Sequence, residues 1–213
     1  MTTRLRPEQA TKILANFPGD SIVNARIARV MRLGVVPKSN ADQRGEYFTM
    51  QDKLAELDKY DIVLIIGNYG SGKSDLARTY FRHRKRVDRH EIRHHMTEMT
   101  EHGTKWTSEG WDEDLDGLIK HIEHDLIVHF LERNVKLLID NTSLTVASRK
   151  RYIQAAQRYH KSIVCVFLKR DVSTLLENNR KRAFPVPEPV IVKRYARTEE
   201  PSREEGFGKV VVM

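Results

Sequence analysis

An eight-residue segment, Gly67-Asn-Tyr-Gly-Ser-Gly-Lys-Ser74, has the spacing G-x-x-x-x-G-K-S that is typical of phosphate-binding loops. Glycines let backbone N–H groups point together at phosphate oxygens, and a following helix adds the positive end of its dipole. Lys73 would then contact the β- and γ-phosphates of a nucleoside triphosphate, and the Ser74 hydroxyl would bind Mg²⁺. The sequence therefore predicts a nucleotide site formed by Gly67, Asn68, Tyr69, Gly70, Ser71, Gly72, Lys73 and Ser74.

A second candidate for metal binding is the carboxylate that ends the apolar run Leu137-Leu-Ile-Asp140. Asp140 is placed where a partner of metal-bound water beside a phosphate loop would lie, and a purely structural role fits that position equally well. A run of the Asn-Lys-x-Asp type, which reads guanine in GTPases, does not follow. We therefore expect ATP, with Mg²⁺, rather than GTP.

Candidate groups for binding and deprotonating a phosphate acceptor lie in Val87-Asp-Arg-His-Glu-Ile-Arg93. Asp88, His90 and Glu91 are the candidate bases, and the planar guanidinium of Arg93 could bind an acceptor phosphate. A charged, solvated helix start is the alternative interpretation of each residue alone.

A further cationic segment, Asn178-Asn-Arg-Lys-Arg182, precedes two prolines in Ala183-Phe-Pro-Val-Pro187. Cations at the end of a helix that prolines then stop can form a lid over the transferring phosphoryl group. Arg182 is the predicted lid arginine, and a plain charge cluster at a helix end is the alternative.

The run His90-Glu-Ile-Arg-His94 also matches the zinc-hydrolase pattern H-E-x-x-H. The chain has 9 histidines, which raises the chance of a coincidental match, and it lacks the downstream third histidine of one large zinc-protease class. The phosphate loop is therefore the preferred basis for a function.

Composition and charge limit the class of protein and of partner. The 213 residues include 37 Lys and Arg against 29 Asp and Glu, a formal charge of +8 that favours a polyanionic partner. Three basic clusters, Arg82–Arg86, Ser148–Arg151 and Arg180–Arg182, could together form a surface for nucleic acid, although each alone is typical of a solvated face. We expect a nucleic-acid partner, DNA rather than RNA. With 31% charged residues, no apolar run near ~20 residues and no secretory signal, we expect a cytoplasmic protein without a membrane partner, in the host cytoplasm if viral. The single cysteine, Cys165, fits a reducing compartment.

The order of apolar runs predicts the elements that position these residues. Strand-like runs alternate with helical patterns, which indicates an α/β fold with a mostly parallel sheet. We interpret residues 1–58 as an N-terminal helical extension and 59–213 as the α/β domain. The predicted strands are 61–66, 86–88, 135–140, 162–168 and 209–213, and helical spacing marks 115–131 and 152–159.

Over residues 60–213, the chain resembles the kinase domain of polynucleotide 5'-hydroxyl kinases. The resemblance is carried by the phosphate loop, Val87–Arg93, Leu138-Ile-Asp-Asn-Thr-Ser143, Ser148-Arg-Lys-Arg-Tyr152, Leu176–Arg182 and Glu205-Gly-Phe-Gly208. It implies a three-layer P-loop kinase fold, Mg-ATP as donor and a nucleic-acid hydroxyl as acceptor. It also implies that Lys73 and Ser74 hold ATP and metal, that Arg93 grips the acceptor strand, that Asn141 and Thr142 lie near the acceptor, and that Arg182 is the lid arginine.

The resemblance includes one departure, because His90 stands where the family has the aspartate that takes the hydroxyl proton. That difference keeps a second acceptor open, the hydroxymethyl group of 5-hydroxymethyluracil in phage DNA. A nucleic-acid-binding P-loop ATPase and a kinase for a small metabolite are the alternatives from other classes. The sequence does not predict the oligomeric state.

Overall fold

The structure, a computed structural model, describes residues 50–103 and 113–213. Most of the predicted N-terminal extension, residues 1–49, lies outside the described residues, so its predicted helices stay predictions. Within the described ranges, no helix is both long enough and apolar enough to cross a bilayer.

Five short strands form one sheet at the centre of the described fold. Their order is β2-β3-β1-β4-β5, and all four neighbouring pairs are parallel. The predicted α/β architecture with a mostly parallel sheet is confirmed, and the strand predicted at 86–88 corresponds to an edge strand at Lys85–Val87. The strands are β1 (Ile62–Ile66), β2 (Lys85–Val87), β3 (Leu137–Asp140), β4 (Ile163–Phe167) and β5 (Val210–Val212).

Helices cover both faces of this sheet. They are α1 (Met50–Ala55), α2 (Lys73–Tyr80), α3 (Arg89–Thr100), α4 (Glu113–Glu132), α5 (Val146–Arg158), α6 (Val172–Arg180) and α7 (Glu188–Ala196), with 3₁₀ turns at Glu56–Lys59 and Arg203–Glu205.

The fully buried strand β1 divides the core into two layers. Its even-numbered residues, such as Leu64, pack with α4 and α5, because successive side chains of a strand point to opposite faces. Its odd-numbered residues, such as Ile65, pack with α1, α2 and the first 3₁₀ turn. Cys165 of β4 is wholly buried, and burial raises the pKa of its thiol to about 12. The fold thus has three layers: α4 and α5 on one face, the sheet in the middle, and α1 and α2 on the other face.

The parallel arrangement determines where the functional loops meet. The loops after β1, β2 and β3 all leave the carboxyl edge of the sheet, which is where open α/β folds bind their ligands. The phosphate loop follows β1, Asp88 follows β2 directly and Asp140 ends β3. Neighbouring strand order thus brings together residues that are more than fifty positions apart.

Candidate active site

A cavity of about 640 Å³ opens at this carboxyl edge. Its lining includes Tyr69, Lys73 and Ser74 from the phosphate loop, and Asn141 and Thr142 after β3. Cations outnumber carboxylates on its walls. The cations are Lys73, Arg89, Arg93, Lys120, Arg151, Arg182, Lys193, Arg194 and Arg197, and the carboxylates are Asp88, Asp116 and Asp140. A cavity with this balance attracts an anionic ligand with several charges.

Gly70 and Gly72 give the phosphate loop its shape. Both have positive φ, 79° and 90°, a region that glycine enters without steric cost. A Cβ on Gly70 would also lie 2.3 Å from the Leu175 carbonyl oxygen, so the loop touches α6 at this point. Asn178 of α6 donates a hydrogen bond to the Gly70 carbonyl at 2.9 Å. The loop is therefore held by the helix that leads into the predicted lid.

Lys73 is the first residue of α2 and lies on the cavity wall. Its Nζ donates to the Asn68 carbonyl oxygen at 2.9 Å. Burial lowers the pKa of Lys73 to about 8, and the nearby Asp140 and Asp88 carboxylates limit the decrease. An incoming phosphate would favour the charged ammonium, because an opposite charge stabilises it.

Asp88 and Asp140 lie side by side where β2 and β3 end, and Arg86 binds both. Asp140 Oδ2 accepts from Arg86 Nε at 3.0 Å and from Nη2 at 2.7 Å, and the same Nη2 binds Asp88. Burial and the Asp140 charge raise the pKa of Asp88 to about 6, against the opposing effect of Arg86. Asp88 also caps α3 by accepting from the His90 and Glu91 N–H groups.

The three predicted base candidates divide into two groups. Asp88 and His90 line the cavity, whereas Glu91 faces a smaller neighbouring cavity and pairs with Arg86 at 2.6 Å and with Arg78 at 3.3 Å. Burial has the largest effect on His90, followed by the charge of His94 and then by the Arg182 and Arg93 guanidinium groups. Together they lower the pKa of His90 to about 4. A neutral imidazole of such low basicity accepts a proton poorly. Position therefore sets Glu91 apart, the low pKa of His90 sets that residue apart, and Asp88 is the favoured candidate base.

The two histidines of the H-E-x-x-H pattern lie close together, but the other ligands that a zinc site needs are not found beside them in the described ranges. Nε2 of His90 and Nε2 of His94 are 3.2 Å apart, one helical turn along α3. Across 50–103 and 113–213, however, no group of three or more His, Cys, Asp or Glu side chains could hold a metal ion. A metal at the phosphate loop would instead use the Asp140 carboxylate and the Ser74 hydroxyl, together with nucleotide phosphates.

Arg182 and Arg194 lie above the phosphate loop. Their guanidinium carbons are 5.9 Å and 5.3 Å from the ring centre of Tyr69, within cation–π range. Arg182 belongs to the segment 181–187 between α6 and α7, which we call the lid segment. Buried Asn179 holds this segment by two hydrogen bonds to the backbone of Val186, at 2.7 and 3.0 Å. The structure thus places the predicted lid arginine on the cavity.

Two cation pairs on the opposite wall each share a single carboxylate. Arg89 and Arg151 both bind Glu123 Oε2, at 2.9 and 2.5 Å, and Glu123 is wholly buried. Arg93 and Lys120 similarly share Asp116, with the Lys120 contact at 2.7 Å. Among the described contacts, the Arg89–Arg151–Glu123 group therefore has two guanidinium groups for one carboxylate at the cavity.

Asn141 and Thr142, the predicted acceptor contacts, also have structural partners. Asn141 donates to the Tyr152 hydroxyl at 2.9 Å and to Glu123, and it accepts from the Arg89 backbone N–H at 3.2 Å. The Thr142 carbonyl accepts from Gly67 N–H at 3.1 Å, which ties the end of β3 to the phosphate loop. Both residues lie on the cavity, and Asn141 is part of the network that orients the arginines.

Sequence reasoning missed several residues and overestimated the basic clusters. Arg86 and Asp88 are two apart on a strand and so share a face, a signal that could have linked them. Lys193, Arg194 and Arg197 have helical spacing after Pro187 and belong to the same wall.

Two predicted surface clusters are partly internal. Arg84 binds the carbonyls of Leu57, Tyr60 and Asp61, and fully buried Arg149 binds Glu205 and two carbonyls.

Solved structures of similar fold include kinases and a nucleic-acid repair assembly. A chain of the Pnkp1/Rnl/Hen1 RNA repair complex matches 74% of this chain with 18% identity and a TM-score of 0.54. This chain spans only 46% of that one. A sugar kinase from Janibacter sp. matches 72% of the chain and 84% of its own, with 14% identity and a TM-score of 0.51. One chain of the AvrRxo1-ORF1:AvrRxo1-ORF2 complex matches 92% of this chain and 62% of its own, at 15% identity and a TM-score of 0.52.

The structural similarity shows a shared P-loop kinase-like fold, and identities this low leave the substrate open. A sequence-family profile described as an AAA domain matches residues 62–201, from the first residue of β1 to just beyond α7. This match contains the phosphate loop, both strand-end carboxylates and the lid segment. Since it covers more than half of the chain, the protein belongs to this AAA domain family.

Proposed function

We propose that this protein is an ATP-dependent kinase that transfers the γ-phosphoryl group to a hydroxyl of nucleic acid, with the 5'-hydroxyl of a DNA strand as the first candidate. The observation that carries the proposal is the group formed by Arg89, Arg151 and Glu123 on the wall opposite the phosphate loop. Both guanidinium groups bind the single Glu123 carboxylate, so the cations of this group outnumber its carboxylates by one among the described contacts. A neutral sugar does not require a surplus positive charge, whereas a strand presents a phosphate at each nucleotide.

The residues of the chain divide the reaction between them. Lys73 and the loop N–H groups would bind the triphosphate, and Arg182 and Arg194 would face the charge that spreads over the transferring group. Asp88 would accept the proton of the attacking hydroxyl, because its pKa near 6 leaves it ionised at neutral pH. Mg²⁺ bound by Ser74 and Asp140 would offset phosphate charge and orient the oxygens. Arg93 and Arg151 would hold the acceptor strand.

A second acceptor is supported by the aromatic groups at the lid. Phe184 of the lid segment is 43% exposed, and its ring centre lies 5.6 Å from that of His94. Exposed rings of this kind stack on an unpaired base. This arrangement fits the hydroxymethyl group of 5-hydroxymethyluracil in phage DNA, which an enzyme reaches by rotating the nucleotide out of the duplex.

One labelling experiment separates these functions. The protein is incubated with γ-labelled ATP and, in parallel, a 5'-hydroxyl oligonucleotide, duplex DNA that contains 5-hydroxymethyluracil, and a sugar. The DNA is then digested to nucleotides. Label at the strand end supports the first acceptor, and label on an internal base supports the second. Phosphate released only to water indicates an ATPase, and label on the sugar alone would refute a nucleic-acid acceptor.

Lys73→Ala is the matching test of the site. We expect transfer to be lost, because the ammonium that contacts the phosphates is gone, while the fold persists. Lys85→Ala removes the same charge from an exposed position of β2 and should leave transfer unchanged. Near-normal transfer by the Lys73 variant would show that the phosphate loop is not the donor site.

A further inference from the structure

The guanidinium of Arg86 lies where three oxygen-bearing side chains converge. Its Nη2 is 2.7 Å from Asp140 Oδ2 and 3.4 Å from Ser74 Oγ, and it also binds Asp88. The Arg86 side chain is only 18% exposed. One cationic nitrogen therefore lies among a hydroxyl from α2, the carboxylate that ends β3 and the carboxylate that directly follows β2.

Two of these groups, the Ser74 hydroxyl and the Asp140 carboxylate, are also the donors that would hold Mg²⁺ with the nucleotide. Carboxylate and hydroxyl oxygens are the hard ligands that this ion requires. A guanidinium and a divalent cation cannot share that position, because like charges at this spacing repel strongly in a half-buried site. Metal binding at these oxygens therefore requires the Arg86 guanidinium to move.

The structure offers the Arg86 side chain a second anchor on its outer side. Nη1 of Arg86 already binds Glu91 Oε1 at 2.6 Å, and the Glu91 side chain is 44% exposed. Arg86 and Glu91 also border the neighbouring cavity of about 280 Å³. The guanidinium can thus keep its bond to Glu91, leave the three oxygens and remain charge-paired.

We propose that Arg86 is a positioning residue that holds the metal position in the nucleotide-free protein and yields it to Mg²⁺ when the nucleotide binds. The exchange keeps Asp88 and Asp140 from facing each other without a counter-ion. It also makes the site a poor metal binder until nucleotide phosphates add their own oxygens. This inference rests on the proposed binding of Mg-ATP, and it assigns Glu91 the role of anchoring Arg86.

The direct test is a titration of nucleotide-free protein with Mn²⁺ as a paramagnetic probe of the Mg²⁺ site, followed by electron paramagnetic resonance. We expect Arg86→Gln to bind the ion about tenfold or more tightly than the unaltered chain, because the competing cation is gone. Arg86→Lys keeps the positive charge but loses the planar guanidinium that binds several oxygens at once. We therefore expect a smaller increase in Mn²⁺ affinity from this variant.

Arg78→Gln is the matched control. Arg78 pairs with the same Glu91 at 3.3 Å, but it forms no hydrogen bond to Ser74, Asp88 or Asp140 among the described contacts. Its loss removes one positive charge nearby without vacating the metal position, so Mn²⁺ affinity should change less than about twofold. Equal affinities for the Arg86→Gln and Arg78→Gln variants, or weaker binding by the former, would overturn the proposal.

A measurement on the unaltered protein covers the case in which Arg86→Gln does not fold. The Nε–H of Arg86 donates to Asp140 at 3.0 Å, and its ¹⁵N resonance can be assigned by comparison with Arg86→Lys. Addition of Mg-ADP should shift this resonance as the hydrogen bond breaks. If calorimetry shows that Mg-ADP binds and the resonance stays in place, the inference fails while the proposed function survives. Absence of nucleotide binding would refute both.

Discussion

Arg151→Ala tests the surplus positive charge on the wall opposite the phosphate loop. This charge is the basis for proposing a nucleic-acid substrate. Arg151 and Arg89 share the one Glu123 carboxylate, so removal of either guanidinium cancels the excess charge of that group. Glu123 keeps its contacts with Arg89, Tyr152 and Asn141, and we therefore expect the variant to fold.

The size of the effect follows from the exposure of the Arg151 side chain, which is 37%. A charge pair about 4 Å apart is worth about 1 kcal/mol in bulk water and about 4 kcal/mol near a protein surface. For a side chain exposed by a third, we expect a loss of about 1–2 kcal/mol, or about 5- to 30-fold in affinity for a single strand at low salt. The slope of log affinity against log salt should fall by about 0.7, the value for one neutralised phosphate.

The assay is fluorescence anisotropy of a labelled 5'-hydroxyl oligonucleotide at several salt concentrations. Arg158→Ala is the matched control, because Arg158 lies on the same helix, is exposed and does not line the cavity. Nucleotide affinity should be the same in both variants. An Arg151 variant with the salt slope of the Arg158 variant, or with a defect in ATP binding instead, would refute the argument for a strand on this wall.

Two further predictions concern catalysis and the loop. The dependence of kcat/KM on pH should be bell-shaped: it rises through about pH 6, where the Asp88 carboxyl loses its proton, and it falls above about pH 8, where the Lys73 ammonium loses its own. Asp88→Asn should lower kcat at least ~100-fold, and an unchanged acidic limb in its residual activity would exclude Asp88 as the base. Gly70→Ala should lower the melting temperature and weaken ATP binding, because the new Cβ would meet the Leu175 carbonyl at 2.3 Å. Gly72→Ala carries the same positive-φ strain, about 1 kcal/mol, with no atom within 4 Å, so equal losses in the two variants would contradict the role of that contact.

The sequence alone was sufficient for the elements whose signals are local. Buried parallel strands are continuous apolar runs, so β1, β3 and β4 could be recognised from Ile62–Ile66, Leu137–Asp140 and Ile163–Phe167 without any neighbour. The phosphate loop is equally local, because its glycine φ angles and the helix start at Lys73 are properties of one short segment. The strand order then followed from tertiary pairing alone.

The side-chain partners were decided by the tertiary structure. Whether Asp88, His90 or Glu91 faces the cavity depends on how α3 leaves β2 and on Arg86, which draws Glu91 outward. The sequence predicted that Arg149 belongs to an exposed basic cluster, whereas the structure shows its side chain buried and paired with Glu205.

The residues of the chain thus divide by the range of the forces that act on them. Backbone conformation and strand burial depend on neighbours a few positions away in the chain. The local sequence pattern therefore predicts both. Proton affinity and ion pairing depend on which charges lie within a few ångströms in space. The Asp140 charge helps to raise the pKa of Asp88 across 52 positions of sequence because β2 and β3 are paired, and only the folded sheet sets the distance between the two carboxylates.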